Sequence, residues 1–315
     1  MFLPIGDTPN PRGFVPWVTW LLIAVNVAIH LLLALPASMM PADPSSPGAV
    51  AIADRLRDLG PGVVQAISGW DVFVEDHGFR PGAPSALDLF TAMFLHANLA
   101  HLVGNMLFLW IYGDNVEHRV GRLPFLAGYL ATGAAATLAF AAIAADPLIP
   151  MIGASGAISG VLGAYFVMFP RNRVKLFVFL FPFVLDVWLV PAPLVLGIYV
   201  VIDNLLPLFF GAGSGVAYGA HLGGFVAGLA LAWAANRALR PTGLTAETER
   251  AGPTDRAAAH LDAADQLAAR SQWSAAYQHY LRALELSADP AIVDRARDGL
   301  RRLPLDPRHA ARLGL

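Results

Sequence analysis

The chain has 315 residues, 56% of them hydrophobic and only 14% charged, with a formal net charge of −2 and a mean hydropathy of +0.55. Soluble domains carry about 25% charged residues, so the deficit points to a membrane protein. The lack of a basic excess argues against a nucleic-acid partner. There is no cysteine, which excludes disulfides, thiolate metal sites and cysteine nucleophiles.

The first residues, "MFLPIGDTPNPRGFVPW", lack the basic region, short apolar core and small-residue cleavage site of a secretory signal. Segment 1–12 reads as a cytoplasmic N-terminal piece, and the apolar run from Phe14 to Leu35 as a retained span. A span needs roughly 20 largely apolar residues. Further runs at Leu87–Tyr112, Leu123–Ala145, Ile152–Phe169 and Ala217–Asn236 fit that length, and "PAPLVLGIYVVIDNLLPLFF" supplies another, with Pro191 suited to a first helical turn. The sequence thus predicts six spans within a membrane domain over 13–240. The long loop 36–86 holds two short amphipathic surface pieces, "AVAIADRLRDLG" and "GWDVFVEDHGF".

The piece 174–190, "VKLFVFLFPFVLDVWLV", is apolar but short, with Pro182 near its centre and Asp186 after it. It reads as an interfacial or re-entrant segment. Basic residues cluster at Arg119 and Arg122, at Arg171, Arg173 and Lys175, and at Arg237 and Arg240, whereas loops 146–151 and 211–216 carry none. The positive-inside bias therefore places 113–122, 170–175 and both termini in the cytoplasm.

After Pro241 the composition turns polar. Residues 241–254 read as a linker and 255–315 as a small soluble helical tail. Within it Ala264, Trp273, Ala276, Tyr280 and Ala283 have the spacing of one tetratricopeptide-like hairpin. A single such repeat buries its face poorly, so a plain helical tail and a module for a protein partner stand side by side.

Polar groups at membrane depth are costly, and each is a functional candidate. They are His96, His101 and Asn105 in "HANLAHLVGNM", Ser155 in "MIGASGAISGV", and His221 in "YGAHLGGFVAGLA". With six spans, the fourth and sixth run the same way, and Ser155 and His221 lie at matched depth. Gly224 and Gly228 share a helix face with His221, and Gly156, Gly160 and Gly163 answer from the fourth span. Facing glycines allow the close backbone approach that a serine–histidine hydrogen bond requires. His101 and Asn105, four apart, share a face and offer donors suited to an oxyanion. His96, five residues before His101, points elsewhere. The i,i+5 histidines do not converge on one metal ion, and no H-E-x-x-H pair is present.

The fragments "LFTAMFLHANLAHLVGNMLFLWIYGDNVE", "GASGAISGVLGAY" and "AHLGGFVAG", in that order, resemble those of the rhomboid intramembrane serine proteases over about residues 3–238. The resemblance implies an all-α polytopic membrane protein with a six-helix rhomboid core. It implies Ser155 as nucleophile, His221 as general base, and an oxyanion hole from His101, Asn105 and the Ser155 backbone N–H. It gives His96 a structural role, sets Gly153 and Gly156 beside the nucleophile, and makes Glu117 and Arg119 part of a structural cytoplasmic turn. No cofactor or metal is implied. Ser159 stands where the family often carries an aromatic that packs on the histidine; Tyr165 or a neighbouring helix is the candidate substitute.

The implied activity is cleavage of single-pass membrane proteins near the outer face of a bacterial inner membrane. The alternative is a rhomboid-like factor that binds membrane proteins without cutting them. Asp186 and Asp203 raise an ion carrier, but no internal repeat accompanies them.

Overall fold

The computed structural model describes residues 2–10, 14–57, 67–144, 146–180, 184–210, 217–238 and 252–304. Loop 211–216, Pro182, Arg240, nearly all of the expected linker and the last eleven residues of the tail lie outside them. The chain divides into two compact units. The first comprises Met1–Asn10, Pro16–Glu117 and Arg122–Ala232, and the second Pro11–Val15, His118–Gly121 and Trp233–Leu315.

In the first unit, strand β1 (Phe2–Thr8) precedes helix α1 (Trp17–Ser38). Short helices α2 (Pro47–Arg55) and α3 (Gly69–His77) follow. They correspond to the two surface pieces, and Glu75 of α3 pins them by accepting from Arg55 at 2.5 Å and from Arg80 at 3.0 Å. Then come α4 (Asp88–Phe94), α5 (Leu99–Val120), α6 (Arg122–Ile143) and α7 (Ser155–Met168). Strands β2 (Arg173–Leu180) and β3 (Val184–Pro191) lead into α8 (Ala192–Phe209) and α9 (Tyr218–Ala238).

Two expectations are corrected here. The domain is not six-spanned: among the described residues four helices, α1, α6, α8 and α9 (Tyr218–Arg237), are long and apolar enough to cross a membrane. A fifth crossing exists only if α4 and α5, bent by 95°, count as one. The expected fourth span fails on length. Met151 exchanges backbone hydrogen bonds with Phe79, and the Gly153 N–H bonds to the Ala92 carbonyl at 2.8 Å. That holds the chain extended up to Ala154, so α7 has 14 residues, or about 21 Å at 1.5 Å per residue, against a hydrocarbon core of about 30 Å.

Nor is the fold purely helical. The segment read as interfacial is a β-hairpin, and β1 completes an antiparallel sheet in the order β1–β2–β3. Leu3 pairs with Phe177 and Lys175 with Leu189, and a bulge falls between Pro4 and Gly6. Alternation along "RVKLFVFL" buries Val174 and Val178 completely, as a half-buried strand requires. What remains is a largely helical, multi-pass membrane protein with one small sheet.

The helices turn apolar side chains outward, as lipid contact demands: Leu32, Phe209 and Val226 are 73%, 71% and 61% exposed. Between α7 and α9 the contact is backbone to backbone. A Cβ on Gly224 would overlap the Gly156 carbonyl, and one on Gly228 the Gly160 carbonyl. Lipid offers no hydrophobic drive for helices to associate, so such close van der Waals packing carries the interface.

The loop expected at 113–122 is mostly helix. α5 continues to Val120 and is separated from α6 by Gly121, whose φ of +89° suits the residue just past a helix end. Glu117 is buried on α5 and accepts from the backbone N–H groups of Val18 and Thr19 at 3.1 and 2.8 Å and from Thr19 Oγ1 at 2.8 Å. α1 has no capping side chain of its own, so this carboxylate satisfies its first turn and meets the positive end of its dipole. Nearby, Asp7 of β1 accepts from Tyr165 of α7 and, at 2.9 Å, from Asn115 of α5. Burial raises its carboxyl above the usual range, partly opposed by the Tyr165 and Asn172 hydrogen bonds. Tyr165 therefore serves the end of α7 opposite Ser155.

The second unit is built on α10 (Pro253–Ala269), α11 (Trp273–Leu286) and α12 (Pro290–Arg302). Leu261, Leu267, Ala276, Tyr280, Ala296 and Leu300 form its core. The hairpin α10–α11 is thus closed by a third helix. Trp273, counted among the repeat-like positions, is 40% exposed.

Candidate active site

Ser155 is the first residue of α7, following Ala154. Its backbone N–H is one of the donors that a helix leaves unpaired at its N-terminus, where the dipole is positive. The approach to it requires glycine: Gly153 has φ +124°, and a Cβ there would lie 2.8 Å from His101 Cε1 and 3.6 Å from Ser155 Oγ.

His221 sits in the first turn of α9. Its Nε2 is 2.8 Å from Ser155 Oγ, although 66 residues separate the two. The glycine contacts of α7 with α9 bring the two helix starts together, so packing and the hydrogen bond have one cause. The other ring nitrogen, Nδ1, is 2.7 Å from Asn204 Oδ1 of α8. No sequence signal marks Asn204, whose neighbour Asp203 is the carboxylate of this stretch. In the fold Asp203 is exposed and Asn204 is buried.

His101 stands in the first turn of α5, its backbone N–H bonded to Asn98 Oδ1 at 2.9 Å. Asn105 follows one turn later, 8% exposed, with Nδ2 unpartnered among the described protein groups. Both line a cavity of about 900 Å³ that also takes in Ser155, His221, Phe108 and Tyr199. His96 lies outside that lining. It is 1% exposed, and its ring packs edge-on to His101 with centroids 5.1 Å apart. Among the described residues no group of three or more histidine or carboxylate side chains is arranged to hold a metal ion.

Ser159 is fully buried one turn after Ser155, and its hydroxyl lies 2.7 Å from that of Tyr199. An aromatic residue from the neighbouring helix α8 thus reaches this part of α7, and Tyr165 does not. The structure brings together Ser155, His221, His101 and Asn105 around one cavity, with Gly153 beside Ser155 and His101 and with Gly156 and Gly224 at the helix contact behind them.

Comparisons to known proteins bear on the fold. Residues 84–238 match the rhomboid domain. Rhomboid protease GluP of Bacillus subtilis is 34% identical over 141 residues, covering 44% of this chain and 24% of its own. Rhomboid protein 1, mitochondrial, of Saccharomyces cerevisiae is 33% identical over 102 residues, covering 31% and 30%. RHOMBOID-like protein 12, mitochondrial, of Arabidopsis thaliana is 28% identical over 163 residues, covering 46% and 45%. The chain spans less than half the length of each of these relatives. Residues 84–238 carry a rhomboid-family, intramembrane serine-protease-like fold within a multi-pass membrane protein.

Proposed function

We propose that the protein is an intramembrane serine endopeptidase that cuts membrane-spanning helices through Ser155 and His221. The observation that carries this reading is the 2.8 Å contact between Ser155 Oγ and His221 Nε2 at the wall of a cavity shared with His101 and Asn105. In this reading His221 Nε2 takes the Ser155 proton as Oγ attacks the scissile carbonyl. The oxygen of the tetrahedral intermediate gains negative charge. It is met by the Ser155 backbone N–H at the positive end of α7 and by donors from His101 and Asn105. The imidazolium then protonates the leaving amine, and water repeats the sequence on the acyl-enzyme.

A cavity of about 900 Å³ has room for an extended peptide segment and for water. Peptide bonds inside a helix are sealed by their own hydrogen bonds, so substrates with helix-breaking residues near the scissile bond are favoured. Basic residues Arg171, Arg173 and Lys175 follow the end of α7 opposite Ser155, and the positive-inside bias puts that end in the cytoplasm. Ser155 then faces the opposite side of an inner membrane.

The test uses the purified full chain in detergent. A fluorophosphonate probe is expected to label the wild type, which also cleaves a single-span test substrate, and Ser155→Ala abolishes both. Cleavage that survives in this variant overturns the mechanism. Capture of the substrate without cleavage by the wild type favours a non-proteolytic binding factor.

A further inference from the structure

We infer that Asn204 is the positioning residue for His221, fixing the tautomer in which the histidine can act as a base toward Ser155. This rests on the serine-protease reading above and adds a third member to the pair. Asn204 is 1% exposed, so its amide has little water to turn to and must find fixed partners.

Those partners define which way the amide points. Nδ2 lies 2.8 Å from the Tyr199 backbone carbonyl. A carbonyl can only accept, so the amide's NH2 group faces it and Oδ1 faces the imidazole. Oδ1 in turn can only accept, so the proton of a neutral His221 sits on Nδ1, 2.7 Å away. Nε2 then carries a lone pair toward Ser155 Oγ at 2.8 Å. The chain of carbonyl, amide, imidazole and hydroxyl has one consistent polarity, and it leaves Nε2 ready to receive the serine proton.

A local distortion of α8 makes this contact. Residues Val201–Leu205 form a π-turn, closed by the Leu206 N–H bonding to the Val201 carbonyl five residues back. In that turn Val201, Ile202, Asp203 and Leu205 are exposed and only Asn204 is buried. Single π-turns in α-helices occur frequently at functional sites. Just before the turn, Tyr199 supplies both the carbonyl that orients Asn204 and the hydroxyl that meets Ser159 on the nucleophile's helix. One short stretch of α8 therefore addresses both members of the pair.

The choice of an amide suits the setting. An aspartate would hold the same tautomer but would bring a charge to membrane depth, which is costly. Asn204 offers the same acceptor without a charge and orients its dipole toward the imidazolium that forms during the reaction.

The test reads two independent properties of the full chain in detergent, with Ser155→Ala as the activity control. The first is the His221 tautomer, from 15N shifts of histidine-labelled protein assigned with His221→Gln. The second is kcat, KM and the pH–rate profile on a single-span substrate. The wild type is expected to show the Nδ1–H tautomer. Asn204→Ala is expected to mix the tautomers and lower kcat by about 10²-fold, with KM within about threefold. Asn204→Asp restores an acceptor, brings kcat back to within about tenfold of wild type, and moves the acid limb of the profile to higher pH. The shift arises because a carboxylate favours the charged imidazole.

An unchanged tautomer and kcat in Asn204→Ala overturn the inference. If that variant does not fold, Asn204→Asp decides alone, and an unmoved acid limb overturns it. A wild type that cleaves nothing, yet loses the Nδ1–H tautomer in Asn204→Ala, refutes the protease reading while the positioning contact stands.

Discussion

The Ser159 and Tyr199 hydroxyls meet at 2.7 Å, joining α7 to α8 one helical turn from Ser155. Ser159 has no solvent exposure, so its hydroxyl depends on this partner or on its own helix backbone. Tyr199→Phe is expected to lower stability by about 1–2 kcal/mol, because it leaves a buried hydroxyl without its partner. Ser159→Ala alone should cost a similar amount. The double variant should cost clearly less than the sum, since neither hydroxyl remains to be satisfied. Unfolding midpoints in one detergent check all three, and strict additivity contradicts a shared hydrogen bond.

Gly153 offers a sharper test of the approach to the nucleophile. Its φ of +124° and the 2.8 Å distance from a built Cβ to His101 Cε1 leave no room for a side chain. Gly153→Ala is expected to reduce fluorophosphonate labelling of Ser155 at least tenfold by displacing His101 and the loop before α7. Gly128→Ala on α6, where a Cβ would meet nothing within 4 Å, is the control and should label like the wild type. Equal labelling of both variants would show that the loop absorbs the side chain.

The residues around the cavity were largely legible in the sequence because their signals are local. Ser155 and His221 stood out as polar groups in apolar runs, the glycine faces predicted that their helices touch, and His101 and Asn105 shared a face by spacing alone. The sheet was not legible. "RVKLFVFL" is a short apolar run that periodicity does not assign to helix or strand, and its partner β1 is more than 160 residues away in sequence. The span count failed because hydropathy measures an apolar stretch and not where its helix begins. The extended approach through Gly153 removes the first residues of Ile152–Phe169 from α7. Asn204 was hidden by the π-turn, which rotates one residue of α8 inward in a way no regular period anticipates.

Glu117 was expected in a cytoplasmic turn and is instead the cap of another helix. It accepts from two backbone N–H groups and one hydroxyl at the start of α1. Glu117→Ala leaves the part-buried Val18 N–H and the two buried Thr19 donors without their acceptor, so stability should fall by about 2–3 kcal/mol. Glu117→Gln keeps one acceptor oxygen and should lose roughly half as much. Hydrogen exchange should show the excess opening first at residues 17–20. Uniform destabilisation with no excess there would mean that Glu117 supports the fold by some route other than capping α1.

The helical tail carries its own pH response. His260 on α10 and His279 on α11 face each other with Nδ1 atoms 2.9 Å apart, so one ring donates and the other must remain neutral to accept. Burial lowers the His279 ring to about 4, assisted by His260 and Arg119. It also lowers His260, with Arg282 and Arg256 adding to the effect. A histidine depressed in the folded state contributes stability that is present above its unfolded value near 6.5 and is lost as pH falls through the folded value. The three-helix unit should therefore hold from pH 8 down to about 6.5 and loosen progressively toward pH 4. Hydrogen exchange of peptides from 253–303 in the full chain, corrected for the intrinsic pH dependence of exchange, reads this directly. His279→Leu removes one ring of the pair and its titration and should flatten the response between pH 6.5 and 4. A wild-type tail equally protected at both ends of that range would contradict the pairing.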